Sequence, residues 1–212
     1  MKKSLLLFIV FCSFFSFSQK KKMRWSDTFV AKEKPRIPRE EVEIFIDEDE
    51  YLITFEAGDF IEDKLIDAVA ITAKKDEVSA YNKDQTKTKR KVLILKRNNE
   101  GKLEKIAENE DIVYCYLCES PFGSPLTSIV FSGNTFAIEH EAGKANRWAR
   151  IITFEYNFEQ QQWLLLKDAS SIYNIMNSSG FQSDVKTRKD FGNILFTNYD
   201  AFSLDLVKKS TD

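Results

Sequence analysis

The sequence predicts a mainly β protein, folded as a single antiparallel domain with few short helices. Segments rich in β-branched and aromatic residues follow one another from about residue 50. Between two of them lies Gly133-Asn134, a dipeptide that suits a two-residue hairpin turn. Helical periodicity is weak, with candidates only in the N-terminal arm and at residues 170–176. Two architectures fit this pattern: propeller-blade-like sheets or a small sandwich.

The N-terminus has the composition of a secretory signal peptide. Two lysines precede an apolar run over residues 5–17, and small residues precede the bond between Ser18 and Gln19. We therefore expect cleavage near that bond and export to the periplasm or the medium as a soluble protein. Lipidation at Cys12 is the alternative, although a large aromatic residue stands where a lipobox has a small one. The run is shorter than the roughly 20 residues of a membrane-spanning helix, so no stable span is expected.

The chain is predicted to divide into four segments. These are a signal peptide (1–18), an irregular basic arm (19–45), a β domain (46–206) and a C-terminal tail (207–212). The arm opens on several lysines and contains Pro35 and Pro38, which argue against a long regular element. We expect it to pack on the domain through Trp25, Phe29 and Ile44.

The first half of the domain is predicted to contain two strands and a hairpin. Residues 51–56 and 67–72 have the composition of strands. Residues 92–95 begin a hairpin that turns at residues 98–101, where asparagine and glycine are concentrated. The basic stretch at residues 83–91 is polar throughout, and we expect a solvated loop there.

The second half is predicted to contain two further hairpins and a last strand. Counting outward from Gly133-Asn134 pairs Phe131 with Phe136, Ile129 with Ile138, and Thr127 with His140. Residues 148–156 and 163–166 form the next hairpin. Residues 169–187 are polar and predict a long loop, and residues 191–199 predict a final strand.

Composition narrows the functions that the chain can have. Its 212 residues include 31 Lys plus Arg and 33 Asp plus Glu, a formal net charge of −2. This balance argues against a dedicated nucleic-acid binder, which usually carries a large basic excess. The 43% apolar and 30% charged residues describe a globular chain rather than a multi-span membrane protein. One His and three Cys leave few residues for nucleophilic or metal chemistry, so we expect no catalytic residues.

An acidic loop precedes the strand predicted from residue 67. Asp59, Asp63 and Asp67 recur there at every fourth position, and the segment resembles the FG-GAP type of repeat in secreted β-propellers. The resemblance implies that oxygen ligands from these three residues would hold a calcium ion, the one cofactor that the motif allows. The motif is degenerate, because Ile61 replaces a ligand and Lys64 replaces the turn glycine. We therefore expect a metal-free structural turn and no cofactor, and calcium binding is the alternative.

Cys115 and Cys118 allow four interpretations: a disulfide, a redox centre, half of a zinc site or two free thiols. An exported chain favours the disulfide, which requires the strand to end near Tyr114 and the chain to turn there. A redox centre needs a helix at the first cysteine, and residues 119–123 do not predict one. Zinc needs four ligands, and His140 is the only other obvious one.

A wider block resembles a family of secreted bacterial β proteins of unassigned activity, with a CxxC…HxGG…RW pattern after the calcium-like loop. The matching segments are Cys115-x-x-Cys118, Phe122-Gly123-Ser124-Pro125, His140-Glu141-Ala142-Gly143, Arg147-Trp148 and Asp190-Phe191-Gly192-Asn193. The resemblance covers about residues 50–200. It implies export and a β fold, and it implies no activity.

His140, Arg147 and Trp148 form the one possible site with an acid–base group. The sequence favours an exported, non-enzymatic binding protein of the bacterial envelope, whose partner is an envelope protein or a glycan. The alternative is a periplasmic hydrolase or thiol/metal enzyme that uses Cys115, Cys118 and His140. Convergence of His140 with Cys118 or with two carboxylates would favour the enzyme, and packing of His140 among aromatic side chains would favour the binding protein.

Overall fold

The computed structural model describes residues 36–203, apart from the side chains of residues 178–179. The predicted signal peptide with its cleavage site, Cys12, most of the arm and the tail at residues 207–212 lie outside the described residues. All described residues belong to one structural unit. No helix within residues 36–203 is long and apolar enough to cross a membrane.

Four antiparallel strands form the first sheet, in the order in which they occur along the chain. They are β1 (Glu50–Gly58), β2 (Asp67–Lys74), β3 (Arg90–Arg97) and β4 (Leu103–Val113). The strand β2 is buried over nearly its whole length, because both faces of this sheet are covered. Its alternate residues Val69 and Ile71 face the second sheet and pair with Ile94 and Val92 of β3.

Five antiparallel strands form the second sheet, again in chain order. They are β5 (Leu126–Ser132), β6 (Thr135–Gly143), β7 (Asn146–Asn157), β8 (Gln162–Asn174) and β9 (Asn177–Thr187). In β6 and β7 buried side chains alternate with partly exposed ones. This period of two shows that one face of the sheet points into the core and the other toward solvent.

The two sheets pack face to face around one hydrophobic core. Residues of the first sheet (Val69, Ile71, Val92, Ile94) share this core with residues of the second (Phe136, Ile138, Ile152, Phe154, Leu165). The fold is therefore a small sandwich, which confirms the predicted mainly β class and decides between its two architectures.

The outer face of the first sheet is covered by the segment that precedes β1. Val42, on helix α1 (Arg39–Glu43), is fully buried and belongs to a cluster with Leu52, Leu93 and Leu95. The prediction of an irregular arm was wrong for this part, where two glutamates in the first turn suit a helix N-terminus. Ile44 is 78% exposed, so it is not the packing residue, and Trp25 and Phe29 lie outside the described residues.

The central hairpin was predicted almost correctly. Phe131 pairs with Phe136 and Ile129 with Ile138, on either side of a turn in which Gly133 has φ 57°. His140 pairs with Leu126 and not with Thr127, because the register shifts by one residue between Leu126 and Ser128. The next hairpin is also confirmed, since Tyr156 pairs with Trp163 and the pair nearest the turn is Asn157 with Gln162.

The long loop predicted at residues 169–187 was wrong. Residues 170–174 continue β8, which excludes the weak helix candidate at 170–176, and nearly all of the remainder is β9. Most of β9 is exposed on both faces, so its sequence lacks the alternation that marks a half-buried strand. It is held by backbone pairing with β8.

Two further predictions were wrong in part: the strand at residues 191–199 and the loop at residues 83–91. Helix α3 (Arg188–Phe191), begun by a capping box, and a 3-10 helix (Phe196–Asn198) replace the strand. Helix α2 (Glu77–Asp84) enters the predicted loop, and β3 begins inside it. Arg90 is the first residue of β3. Its side chain points inward and is 1% exposed.

A closing segment, residues 194–201, runs along the edge between the sheets. Phe196, Tyr199 and Ala201 are buried in the core, and the backbone N–H of Ala201 donates to the carbonyl of Asp111 at 2.7 Å. The side-chain amide of Asn109, on β4, donates to the carbonyls of Phe196 and Tyr199. The segment thereby ties the edge strand of the first sheet to the core.

Candidate functional site

The predicted disulfide is present in a turn directly after β4. Cys115 and Cys118 are bridged, with their Cα atoms 5.0 Å apart. The backbone N–H of Cys118 donates to the carbonyl of Cys115, which closes the turn. Because β4 ends at Val113, the chain turns where the sequence analysis required it to turn.

A cleft of about 200 Å³ lies beside this disulfide. It is lined by Lys87, Thr88, Lys89, Glu110, Asp111, Val113, Tyr114, Cys115, Cys118, Glu119 and Phe202. Its floor is apolar, since Val113, Tyr114 and both cysteines are buried. Its rim carries both positively and negatively charged side chains. The ammonium of Lys89 lies 2.7 Å from a carboxylate oxygen of Asp111. We call this feature the disulfide cleft.

Three aromatic rings stabilise the wall of the disulfide cleft. The ring of Tyr114 lies 5.1 Å from that of Trp148 and 5.2 Å from that of Phe202, measured between centroids. The indole N–H of Trp148 donates to the carbonyl of Glu119 at 3.0 Å, which fixes the end of the disulfide turn. Trp148 is therefore a packing residue behind the cleft, whereas Phe202 is 43% exposed at its edge.

A buried ion pair lies deeper in the core, and the sequence analysis did not predict it. The guanidinium of Arg150 donates to both carboxylate oxygens of Asp168, at 2.9 and 2.6 Å. It also donates to the hydroxyls of Tyr114 and Tyr199 and to the carbonyl of Ala201. Burial raises the pKa of both tyrosines, so their hydroxyls stay protonated. The pair thus connects β7, β8, the disulfide turn and the closing segment.

A second buried pair anchors the other side of the disulfide turn. Arg90 donates to both carboxylate oxygens of Glu77, at 2.7 and 3.0 Å, and to the hydroxyl of Ser124 at 2.6 Å. The same carboxylate accepts the backbone N–H of Tyr116, inside the turn, at 2.9 Å. The two ion pairs make the turn a rigid support for the cleft.

His140 is buried and takes part in no described hydrogen bond. It is 1% exposed, both ring nitrogens lack a partner among the described residues, and its ring lies 5.1 Å from that of Tyr114. Burial, together with the positive charges of Arg150 and Arg90, lowers the pKa of His140 to about 3. It therefore stays neutral near pH 7 and cannot exchange protons with a solvent-borne substrate there.

Arg147 does not join His140 and Trp148. His140 pairs across the strands with Arg150, and Trp148 pairs with Ala142, so these four share the inner face. Arg147 points to the outer face, where it contacts the carboxylate of Glu141. The three residues of the possible site are thus divided between two faces of one sheet.

The acidic loop uses its carboxylates to hold its own backbone. Asp59 accepts the N–H groups of Asp63 and Lys64 at 3.1 and 3.0 Å, and Asp67 accepts that of Arg97 at 2.8 Å. Lys64 has φ 68°, so it occupies a left-handed position where the resembled motif has glycine. Asp67 is fully buried with one oxygen unpartnered, and burial raises its pKa to about 6. This geometry favours the metal-free turn, and the calcium site stays a prediction.

Within residues 36–203, one group of acidic side chains brings its oxygens within 4.8 Å of one another: Asp47, Asp49 and Glu50. Two lysines already form ion pairs with it. Lys74 contacts Asp49 and Glu50 at 2.9 and 3.0 Å, and Lys91 contacts Glu50 at 3.0 Å and also Asp47. We therefore interpret this group as a surface ion-pair network. Neither the predicted calcium ligands nor His140 with the cysteines forms such a group among the described residues.

No family model, curated protein or solved structure matches this chain. The two resemblances that its motifs suggested therefore stay predictions.

Proposed function

We propose that the protein is an exported, non-enzymatic binding protein of the bacterial envelope, and that it takes a protein partner in the disulfide cleft. One observation carries the proposal: His140, the only histidine, packs against Tyr114 away from any described carboxylate or thiol cluster. The residue on which acid–base chemistry would depend is therefore part of the core. This is the arrangement that distinguishes a binding protein from the enzyme alternative.

The composition of the disulfide cleft supports a protein partner. An apolar floor surrounded by charged and polar groups is the usual anatomy of a protein–protein contact. About 200 Å³ is room for one large apolar side chain of the partner. Lysines and carboxylates on the rim can pair with charges that flank that side chain, which would favour one orientation of the partner.

The rigidity of the cleft supports the same proposal. The disulfide, the indole of Trp148 and the Glu77–Arg90 pair hold its turn without a ligand. A site that is ordered before binding loses less conformational entropy when the partner arrives. A thiol enzyme, in contrast, would need a cysteine at a helix N-terminus, and the turn that holds the two cysteines is not followed by a helix.

Two matched variants test the proposal. Phe202→Ala removes the exposed ring at the cleft, and Phe158→Ala removes a ring of similar exposure on the turn between β7 and β8, outside the cleft. Each ring makes an edge-to-face contact with a tyrosine, so the two changes perturb packing alike.

The immobilised full chain is used to capture proteins from an envelope extract, and captured proteins are identified by mass spectrometry. We expect a partner that binds the parent and Phe158→Ala and that loses at least about tenfold in affinity for Phe202→Ala. Equal binding by both variants, or no specific partner, would contradict the proposal. N-terminal sequencing of the protein recovered outside the cytoplasm tests the predicted export. Cleavage after Ser18 would make Gln19 its first residue.

A further inference from the structure

A second cavity shares no lining residue with the disulfide cleft and does not depend on it. Its volume is about 180 Å³. It is lined by Ile106, Ala107, Gln161, Gln162, Trp163, Leu195, Phe196 and Thr197. These residues come from β4, from the turn before β8, from the start of β8 and from the closing segment. We call it the glutamine cavity.

The glutamine cavity has no charged residue in its lining, although 30% of the chain is charged. Its polar groups are the exposed amides of Gln161 and Gln162 and the exposed hydroxyl of Thr197. Each of these groups can both donate and accept hydrogen bonds. The side chains of Ile106 and Leu195 supply an apolar part of the wall. A neutral ligand that carries both donors and acceptors fits this lining, and a charged ligand would find no opposite charge.

Trp163 is one of two buried aromatic residues in the lining, and its indole N–H has no hydrogen-bond partner among the described residues. The side chain is 4% exposed and packs against the rings of Phe60, Phe136 and Tyr156. Buried indole N–H groups usually find an acceptor, as that of Trp148 does here. The indole N–H of Trp163 is thus a buried donor that has no acceptor within residues 36–203, on a residue that lines the cavity.

The walls of the cavity are fixed before a ligand binds. Leu195 pairs with Leu164 in a β-bridge, and the backbone N–H of Leu165 donates to the carbonyl of Ile194 at 2.8 Å. Phe196 is held in the core against Phe154, with ring centroids 5.1 Å apart. The polar groups at the mouth are thus presented by a rigid frame, as in preformed small-molecule sites.

We infer that the glutamine cavity binds a neutral sugar ring. A cavity of roughly 150 Å³ already holds a six-membered ring, so the available volume suits one pyranose. Sugar hydroxyls donate and accept, which matches the two amides and the hydroxyl of Thr197, and the C–H faces of the ring match Ile106 and Leu195. A hydroxyl or ring oxygen supplies the acceptor that the indole of Trp163 lacks. A charged sugar is disfavoured by the uncharged lining.

Nuclear magnetic resonance of the indole N–H groups tests the inference. The purified full chain is labelled with ¹⁵N-tryptophan and titrated with methyl glycosides of glucose, galactose, mannose and N-acetylglucosamine. Signals are assigned through Trp25→Phe and Trp148→Phe variants. We expect one or more glycosides to shift the Trp163 signal saturably, with dissociation constants near millimolar, and to leave the Trp148 signal in place.

A matched pair of glutamine variants gives the second readout. Gln162→Ala removes an amide that lines the cavity, and Gln160→Ala removes a neighbouring exposed amide that does not. We expect Gln162→Ala to weaken sugar binding about tenfold and Gln160→Ala to leave it unchanged. No shift with any glycoside, equal shifts of both indole signals, equal losses in both variants, or saturation by an uncharged tripeptide instead would overturn the inference.

Discussion

Replacing His140 with phenylalanine should alter the pH dependence of stability while leaving stability near pH 7 almost unchanged. Phenylalanine has a similar shape, and it keeps the contact with Tyr114 without the two ring nitrogens that lack partners. Because the site is buried and the exchange roughly conserves volume, we expect the free energy of unfolding at pH 7 to stay within about 1.5 kcal/mol of the parent.

The pH effect follows from the pKa of His140. Burial, with Arg150 and Arg90 adding repulsion, lowers it from 6.5 to about 3 in the folded protein. Between these values the unfolded chain binds a proton that the folded chain does not, so the parent loses stability as pH falls. One pH unit inside this window corresponds to about 1.4 kcal/mol. From pH 6.5 to 4 the variant should gain about 3 kcal/mol relative to the parent.

Urea unfolding of the parent and of His140→Phe at a series of pH values between 4 and 7 measures the difference. Effects of all other titrating groups are common to both proteins and cancel in it. A difference that stays constant with pH would refute the argument. So would a magnetic-resonance titration that gives His140 a pKa near 6.5, because that value requires a solvated ring and would reopen the enzyme alternative.

Two further substitutions test the buried charges. Asp67→Asn should show the opposite dependence: burial raises the pKa of Asp67 to about 6, so the parent loses stability as pH rises from 3.8 to about 6. Relative to the parent, that variant should gain about 2 kcal/mol between pH 4 and 6 in the same urea series, and a constant difference would contradict it. Asp168→Ala should cost about 3–5 kcal/mol at pH 7, because it leaves the guanidinium of Arg150 buried without its counter-ion. Adding Arg150→Met should recover part of that loss in urea unfolding, and strictly additive losses would show that the two side chains are not coupled.

The elements that sequence reasoning predicted well are those fixed by local chemistry. Gly133-Asn134 supplies the backbone conformation of a tight turn, and the pairs beside it follow by counting. The strand β9 was missed because most of its side chains are exposed on both faces, so they carry no alternation. Residues 191–199 are apolar because they close the core, and apolar composition alone does not distinguish a closing helix from a strand.

The site was predicted in the same uneven way. The disulfide depends on a turn of four residues, which the sequence indicates directly. The Arg150–Asp168 pair depends on the register between β7 and β8, which the sequence does not specify. One signal was available: Arg150 lies at the inward position of a strand whose other inward residues include Ile152 and Phe154. A charged residue at such a position requires a buried partner.

The position of the closing segment, late in the chain, determines when the hydrophobic core can be completed during synthesis. Each sheet consists of strands that are neighbours in the chain, so each can pair as it emerges during synthesis. The core, however, still lacks Phe196, Tyr199 and Ala201 until the closing segment has been added. A nascent chain stopped before residue 194 would leave the amide of Asn109 without acceptors and the edge of the core open. The native core can therefore be completed only after residue 201 has been added.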